Sequence, residues 1–155
     1  MKKCVFITVI FISICSALFS QDVIRMQPCQ NPGIENQADS IKQLITNDGF
    51  ELLKASSITM ESDYEMPVIV PLQRGSLYHF VFIGETSSKL YEVRMFDQSE
   101  NQVAIDNKKG NEGNVVRFSH VPEETEIHSF RVLQTNKKKK KGICGYVMLF
   151  KKTKA

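Results

Sequence analysis

The chain has 155 residues, of which 42% are hydrophobic and 24% charged, with four cysteines and a formal net charge of +3. This composition belongs to a globular protein rather than a disordered one, and beyond residue 20 no apolar run reaches the roughly 18–20 residues that a membrane-spanning helix needs. The charge is unevenly divided: residues 21–136 hold 10 basic and 17 acidic side chains, whereas residues 137–155 hold eight lysines and no acid.

Residues 1–20 (MKKCVFITVIFISICSALFS) have the layout of a secretory signal peptide. Two lysines precede an apolar run from Cys4 to Ile12, small residues follow, and a cut near Ala17 or Ser20 is expected, so that the mature protein begins between Leu18 and Asp22. Two alternatives stay open. One is a retained N-terminal anchor, against which Ser13 and Ser16 interrupt the apolar run. The other is lipid attachment at Cys15, against which Ile14 is larger than the residue usual at that place. Export puts residues 21–155, a single domain by length, in a secreted, periplasmic or envelope compartment where disulfides persist.

Residues 21–32 contain Pro28, Cys29, Asn31 and Pro32 and are expected to be irregular. From Glu35 to Asn47, Ala38, Ile41, Leu44 and Ile45 recur at helical spacing, Pro32 suits the first turn, and Gly49 supplies the stop. Everything after Gly49 is predicted to be strand and turn. Phe50–Met60 is extended, and Met66–Leu72 carries Pro67 and Pro71, which suit an edge strand. Leu77–Gly84 is continuously apolar, as in a strand buried on both faces. In Leu90–Asp97, Tyr91, Val93 and Met95 alternate with Glu92 and Arg94, the pattern of a half-buried strand. A strand starts at Val103–Asp106, and 107–114 is expected to be a long polar loop. Val115–Val121, Ile127–Gln134 and Gly142–Lys151 complete the set. About eight short strands with turns every 8–12 residues predict an all-β fold, an antiparallel, jelly-roll-like β-sandwich with one short N-terminal helix.

Gln73-Arg74-Gly75-Ser76-Leu77-Tyr78-His79-Phe80 is similar to the opening strand motif of pre-peptidase C-terminal domains. A strand ending in an aspartate turn follows at Val93–Asp97, and the resemblance extends over about half the chain, from Val68 to Phe150. Glu123–His128 stands where that family has a glycine-tyrosine turn. The whole chain also resembles small secreted proteins of Gram-negative bacteria. These resemblances imply an accessory sandwich module outside the cytoplasm, in some cases with calcium, and they imply no activity.

With Cys4 and Cys15 removed by signal cleavage, Cys29 and Cys144 remain, and one pair in an exported chain predicts one disulfide. The alternative is two separate thiols. Two isolated cysteines are too few for structural zinc, which wants about four ligands.

No nucleophile elbow, phosphate loop or zinc-protease motif occurs. His79, inside an apolar strand, is expected to be a satisfied core histidine. His120 and His128 flank the turn at Pro122–Glu126; in a hairpin they would approach each other beside Glu124 or Glu126, a potential two-histidine, one-carboxylate metal site. Glu61, Asp63 and Glu65 form one acidic group, and Asp97, Glu100, Asn101 and Asp106 surround a turn. Calcium would need about six to eight oxygens there, and a solvated turn explains the same residues. Lys137, Lys138, Lys139, Lys140 and Lys141 lie between two strands and are expected to tip a hairpin, where like charges discourage edge pairing. Their functional alternative is contact with an anionic envelope surface. Without interleaved aromatics they offer no stacking platform for nucleic acid.

The sequence therefore favours a non-enzymatic exported module, with no required cofactor, that binds a protein, a glycan or an anionic surface. The absence of tryptophan weakens the glycan option. A metal-dependent hydrolase using His120, His128 and a glutamate, and a structural envelope component, are the alternatives.

Overall fold

Asn31 starts the helix. In the computed structural model, which describes residues 28–153, its side-chain oxygen accepts from the backbone N–H groups of Gly33 (3.1 Å) and Ile34 (3.3 Å). Pro32 follows at the first helical position, where its missing N–H costs nothing. This cap starts α1 at Pro32, in the first turn where the sequence places it, and the helix runs Pro32–Asn47. Gly49, with φ near +78°, turns the chain out of it. Ile34, Ala38 and Ile45 are buried, whereas Leu44 is 64% exposed and does not share the packed face. The expected signal peptide and its cleavage site lie outside the described residues.

Eight strands follow: β1 (Phe50–Glu61), β2 (Met66–Leu72), β3 (Tyr78–Gly84), β4 (Ser88–Phe96), β5 (Gln102–Lys109), β6 (Val115–His120), β7 (Glu126–Asn136) and β8 (Lys141–Lys152). They form two four-stranded sheets, in the orders β1-β8-β3-β6 and β2-β7-β4-β5, with every pairing antiparallel. This is a jelly-roll sandwich. Its core lies between the sheets, where the Phe80 ring of β3 stacks on the Phe130 ring of β7 at 4.2 Å. The outer face of the first sheet is covered by α1, through Ile34, Ala38 and Ile45 against Val81, Ile83, Met148 and Phe150. That second layer explains the uninterrupted apolar run of β3: Phe80 and Phe82 face the sandwich core, and Val81 and Ile83 face the helix. Pro67 and Pro71 lie on β2, which is an edge strand as expected.

The connections differ from expectation. Of the consecutive strands, only β4 and β5 pair as a hairpin. β7 and β8 belong to different sheets, so Lys137–Lys141 crosses from one sheet to the other instead of tipping a hairpin. Lys141 already pairs with Glu61 on β1, and β8 is an inner strand, so the run guards no edge. β6 and β7 are likewise in opposite sheets. The expected polar loop at 107–114 begins as strand, because Asn107, Lys108 and Lys109 pair with Glu92, Tyr91 and Leu90. A short 3-10 turn, Gly110–Glu112, completes it.

Candidate functional site at the lysine-bearing end

Along β7 the inward-facing residues are His128, Phe130 and Val132, and then two polar ones, Gln134 and Asn136. A buried amide is tolerable only when its hydrogen-bonding groups are matched. Gln134 is fully buried; its Oε1 accepts from the Glu85 N–H (3.0 Å) and Ser88 Oγ (3.1 Å), and its Nε2 donates to the Cys144 carbonyl (2.9 Å). Asn136 donates from its side chain to Ser87 Oγ (2.8 Å) and accepts at Oδ1 from the Lys138 N–H (2.9 Å). Tyr91 Oη donates to the Glu85 carbonyl at 2.8 Å. The turn Glu85–Ser88 and the start of the lysine crossing are thus held by one buried polar network.

The disulfide joins the same end. Cys29 and Cys144 are bonded with their Cα atoms 5.5 Å apart, which ties the segment before α1 to β8. The Cys144 N–H donates to Glu85 Oε2 at 3.1 Å, Ser87 Oγ donates to Oε1 at 2.7 Å, and Lys140 Nζ lies 3.7 Å from Oε1. Burial pushes the Glu85 carboxyl upward. The donors from Ser87 and Cys144, together with Lys140, outweigh it and hold the group below its ordinary value.

Beside this network an open cleft of about 440 Å³ lies between the start of β4, the end of β5 and the β7–β8 crossing. Lys89, Lys109 and Lys137 line it, with Thr86, Ser87 and Asn111, and no acidic residue contributes to the lining. Gly110 forms part of the wall, and a Cβ there would stand 2.5 Å from the Ser88 carbonyl oxygen. Only glycine lets the two segments approach this closely. Among the described residues, Lys89, Lys109 and Lys137 take part in no ion pair, whereas Lys140 faces Glu85 and Lys141 lies 3.9 Å from Glu61. The five-lysine run is therefore divided. Lys137 lines the cleft, Lys138 and Lys139 are exposed, and the last two face carboxylates.

Lys89 and Lys109 were not singled out in the sequence, where they are isolated lysines in separate elements. The signal that was present is on β7: Gln134 and Asn136 continue the phase of Phe130 and Val132, so they had to be buried polar groups with a purpose.

The histidines meet at the opposite end of the sandwich. His120 and His128 approach across the two sheets with ring centroids 5.7 Å apart. His128 is buried, with Nε2 3.5 Å from Glu126 Oε1 and Nδ1 without a hydrogen-bond partner. Burial, and then the neighbouring His128, push His120 below the usual imidazole value, against a smaller opposing pull from Glu123. Among the described residues no group of three histidine, cysteine, aspartate or glutamate side chains is arranged to hold a metal ion. His79 is satisfied as expected, with Nδ1 2.8 Å from Ser119 Oγ, but it is only partly buried.

The acidic groups are engaged locally. Asp97 accepts from the Asn101 backbone N–H (2.8 Å) and side-chain amide (3.0 Å), which hold its carboxyl low. Glu100 pairs with Arg131, and Glu65 pairs with Arg94 at 3.0 Å. Asp63 accepts from Thr135 Oγ1 at 2.7 Å.

No protein family matches the sequence, the pre-peptidase C-terminal domains included, and comparison with curated proteins finds no match. Among solved structures, the chain is similar to the periplasmic inhibitor of g-type lysozyme, PliG, of Aeromonas hydrophila. Sequence identity is 9%, the overlap covers 67% of this chain and 87% of that one, and the TM-score is 0.45. It is also similar to the K3 cleaved adhesin domain of Lys-gingipain from Porphyromonas gingivalis, with 12% identity, 64% and 74% coverage and a TM-score of 0.41. At these TM-scores the likeness bears on neither the mechanism nor the ligand of this chain.

Proposed function

We propose that this protein is an exported, non-enzymatic β-sandwich module that binds an anionic ligand outside the cytoplasm through its lysine-bearing end. The observation that carries the reading is the convergence of Lys89, Lys109 and Lys137, from three separate elements, on one cleft whose lining holds no acid. Cations gathered without carboxylates repel one another, and an anionic partner relieves that cost. The acidic character of residues 21–136 makes the local excess stand out further. Lys138 and Lys139 extend the positive surface beyond the cleft rim. The Cys29–Cys144 disulfide supports an oxidising compartment, in agreement with the signal-like N-terminus.

The test is calorimetric titration of the processed protein with dextran sulfate over a series of salt concentrations. The reading expects saturable binding that weakens steadily as salt rises, because exposed charges are screened beyond about 8 Å at physiological ionic strength. No binding at low salt overturns it.

A further inference from the structure

We propose that the cleft formed by β4, β5 and the β7–β8 crossing receives one phosphomonoester group borne on a sugar. This inference rests on the anionic-ligand reading and narrows it to a discrete group in a defined place. Three lysines point to more than one negative charge, and a phosphomonoester carries about −1.5 to −2 at neutral pH. Lysine serves phosphate as a mobile point charge, and three of them can surround a tetrahedral oxyanion without the planar register that arginine would impose.

The rest of the lining indicates what carries the phosphate. Among the described residues, the Thr86 hydroxyl and the Asn111 amide make no side-chain hydrogen bond within the protein, so donors and acceptors remain for sugar hydroxyls. Ser87 and Ser88, by contrast, spend their hydroxyls on Glu85 and Gln134. No leucine, isoleucine, valine or aromatic side chain lines the cleft, which leaves an acyl chain nothing to bury against and a neutral sugar ring nothing to stack on. The charged group is then the anchor and the sugar its polar carrier. The volume of about 440 Å³ falls within the range of about 300–1,000 Å³ usual for small-ligand sites.

The walls are also fixed in advance. Gln134 and Tyr91 hold the 85–88 turn, Asn136 holds Ser87 and the Lys138 N–H together, and Gly110 seats the 3-10 turn against Ser88. A rigid frame carrying flexible lysines loses little ordering entropy in its backbone on binding.

The experiment is an NMR titration of the isotope-labelled processed protein with glucose 6-phosphate at low salt, beside glucose and inorganic phosphate. The proposal expects saturable shifts with glucose 6-phosphate at Thr86–Lys89, Lys109–Asn111 and Lys137, no shifts with glucose, and weaker binding of inorganic phosphate. Two double variants remove the same charge from different places. Lys89→Gln with Lys109→Gln weakens glucose 6-phosphate binding by at least about tenfold, the ratio that one charge-assisted hydrogen bond supplies. Lys138→Gln with Lys139→Gln, outside the cleft, changes it by less than about twofold, as screened rim charges do.

Equal losses in the two variants overturn the cleft in favour of diffuse charge, and inorganic phosphate binding as tightly as the sugar phosphate overturns the sugar-borne part. Absent glucose 6-phosphate binding with dextran sulfate binding intact overturns this inference and leaves the broader reading standing. Failure of both probes removes both.

Discussion

The side-chain amide of Gln134 donates to the carbonyl of Cys144 at 2.9 Å, and so joins the two sheets beside the disulfide. The same side chain accepts from the Glu85 N–H and Ser88 Oγ, so a single buried amide organises the turn, the disulfide-bearing strand and one wall of the lysine cleft.

Replacing Gln134 by leucine keeps the volume and abandons those partners. The Glu85 N–H, the Ser88 hydroxyl and the Cys144 carbonyl are then left unmatched, and the expected loss of stability is about 2–4 kcal/mol. Urea unfolding of the variant measures it. A loss below about 0.5 kcal/mol, the range of ordinary surface substitutions, would show that water replaces the amide without cost.

The disulfide is predicted to contribute on a similar scale. It closes a span of 115 residues, for which chain entropy gives about 4–5 kcal/mol. Cys29→Ser with Cys144→Ser, compared with the oxidised parent by denaturant unfolding, should show most of that loss. Two titratable thiols in the unfolded, unreduced processed protein, which lacks Cys4 and Cys15, would contradict the bond itself.

Much of this architecture is legible in the sequence. The alternation at Tyr91, Val93 and Met95, the edge prolines Pro67 and Pro71, and the parity of Cys29 and Cys144 each carry a local physical constraint that survives in the fold. What is not legible is which strands pair. A turn of Gly, Asn or Lys between two apolar runs reads the same whether the chain returns within one sheet or arches to the other, and jelly-roll topology makes the arch the usual connection. That is why the sequence favours a hairpin tip at Lys137–Lys141, and why it offers a hairpin as the condition for His120 and His128 to approach each other. The cleft is hidden for the same reason, since Lys89, Lys109 and Lys137 meet only through pairings of β4 with β5 and β7. The helix shows a smaller failure: Leu44 fits the apolar period but lies just off the face that meets the sheet.

Stability should fall as the solution is acidified through the histidine range. Burial lowers His79, with Arg117 adding to it, and burial lowers His120, with His128 adding to it. Each then binds its proton less readily in the folded chain than in the unfolded one, whose imidazole titrates at about 6.5. The unfolded state takes up the extra proton first, so the stability present above that pH is lost as pH falls towards the lower folded values. A urea midpoint that drops between neutral and mildly acidic pH, with a shallower slope in His120→Asn, is the expected result. An unchanged slope in the variant would remove His120 from the account. Glu85 and Asp97, held below the usual carboxylate range, add a further loss at more acidic pH.

The central claim is that the lysine-bearing end binds anions and is not merely a solvated crossing. Replacing Lys137–Lys141 with a neutral Gly/Ser/Asn segment tests it most directly, by dextran sulfate titration across salt concentrations beside the parent protein. These side chains are exposed, so the fold is predicted to persist, with a stability change of less than about 0.5 kcal/mol. Binding is predicted to be lost at physiological salt and the salt dependence of the parent to flatten, because Lys137 leaves the cleft and Lys138 and Lys139 leave the positive surface beyond it. Dextran sulfate binding with unchanged affinity and unchanged salt dependence would contradict the claim.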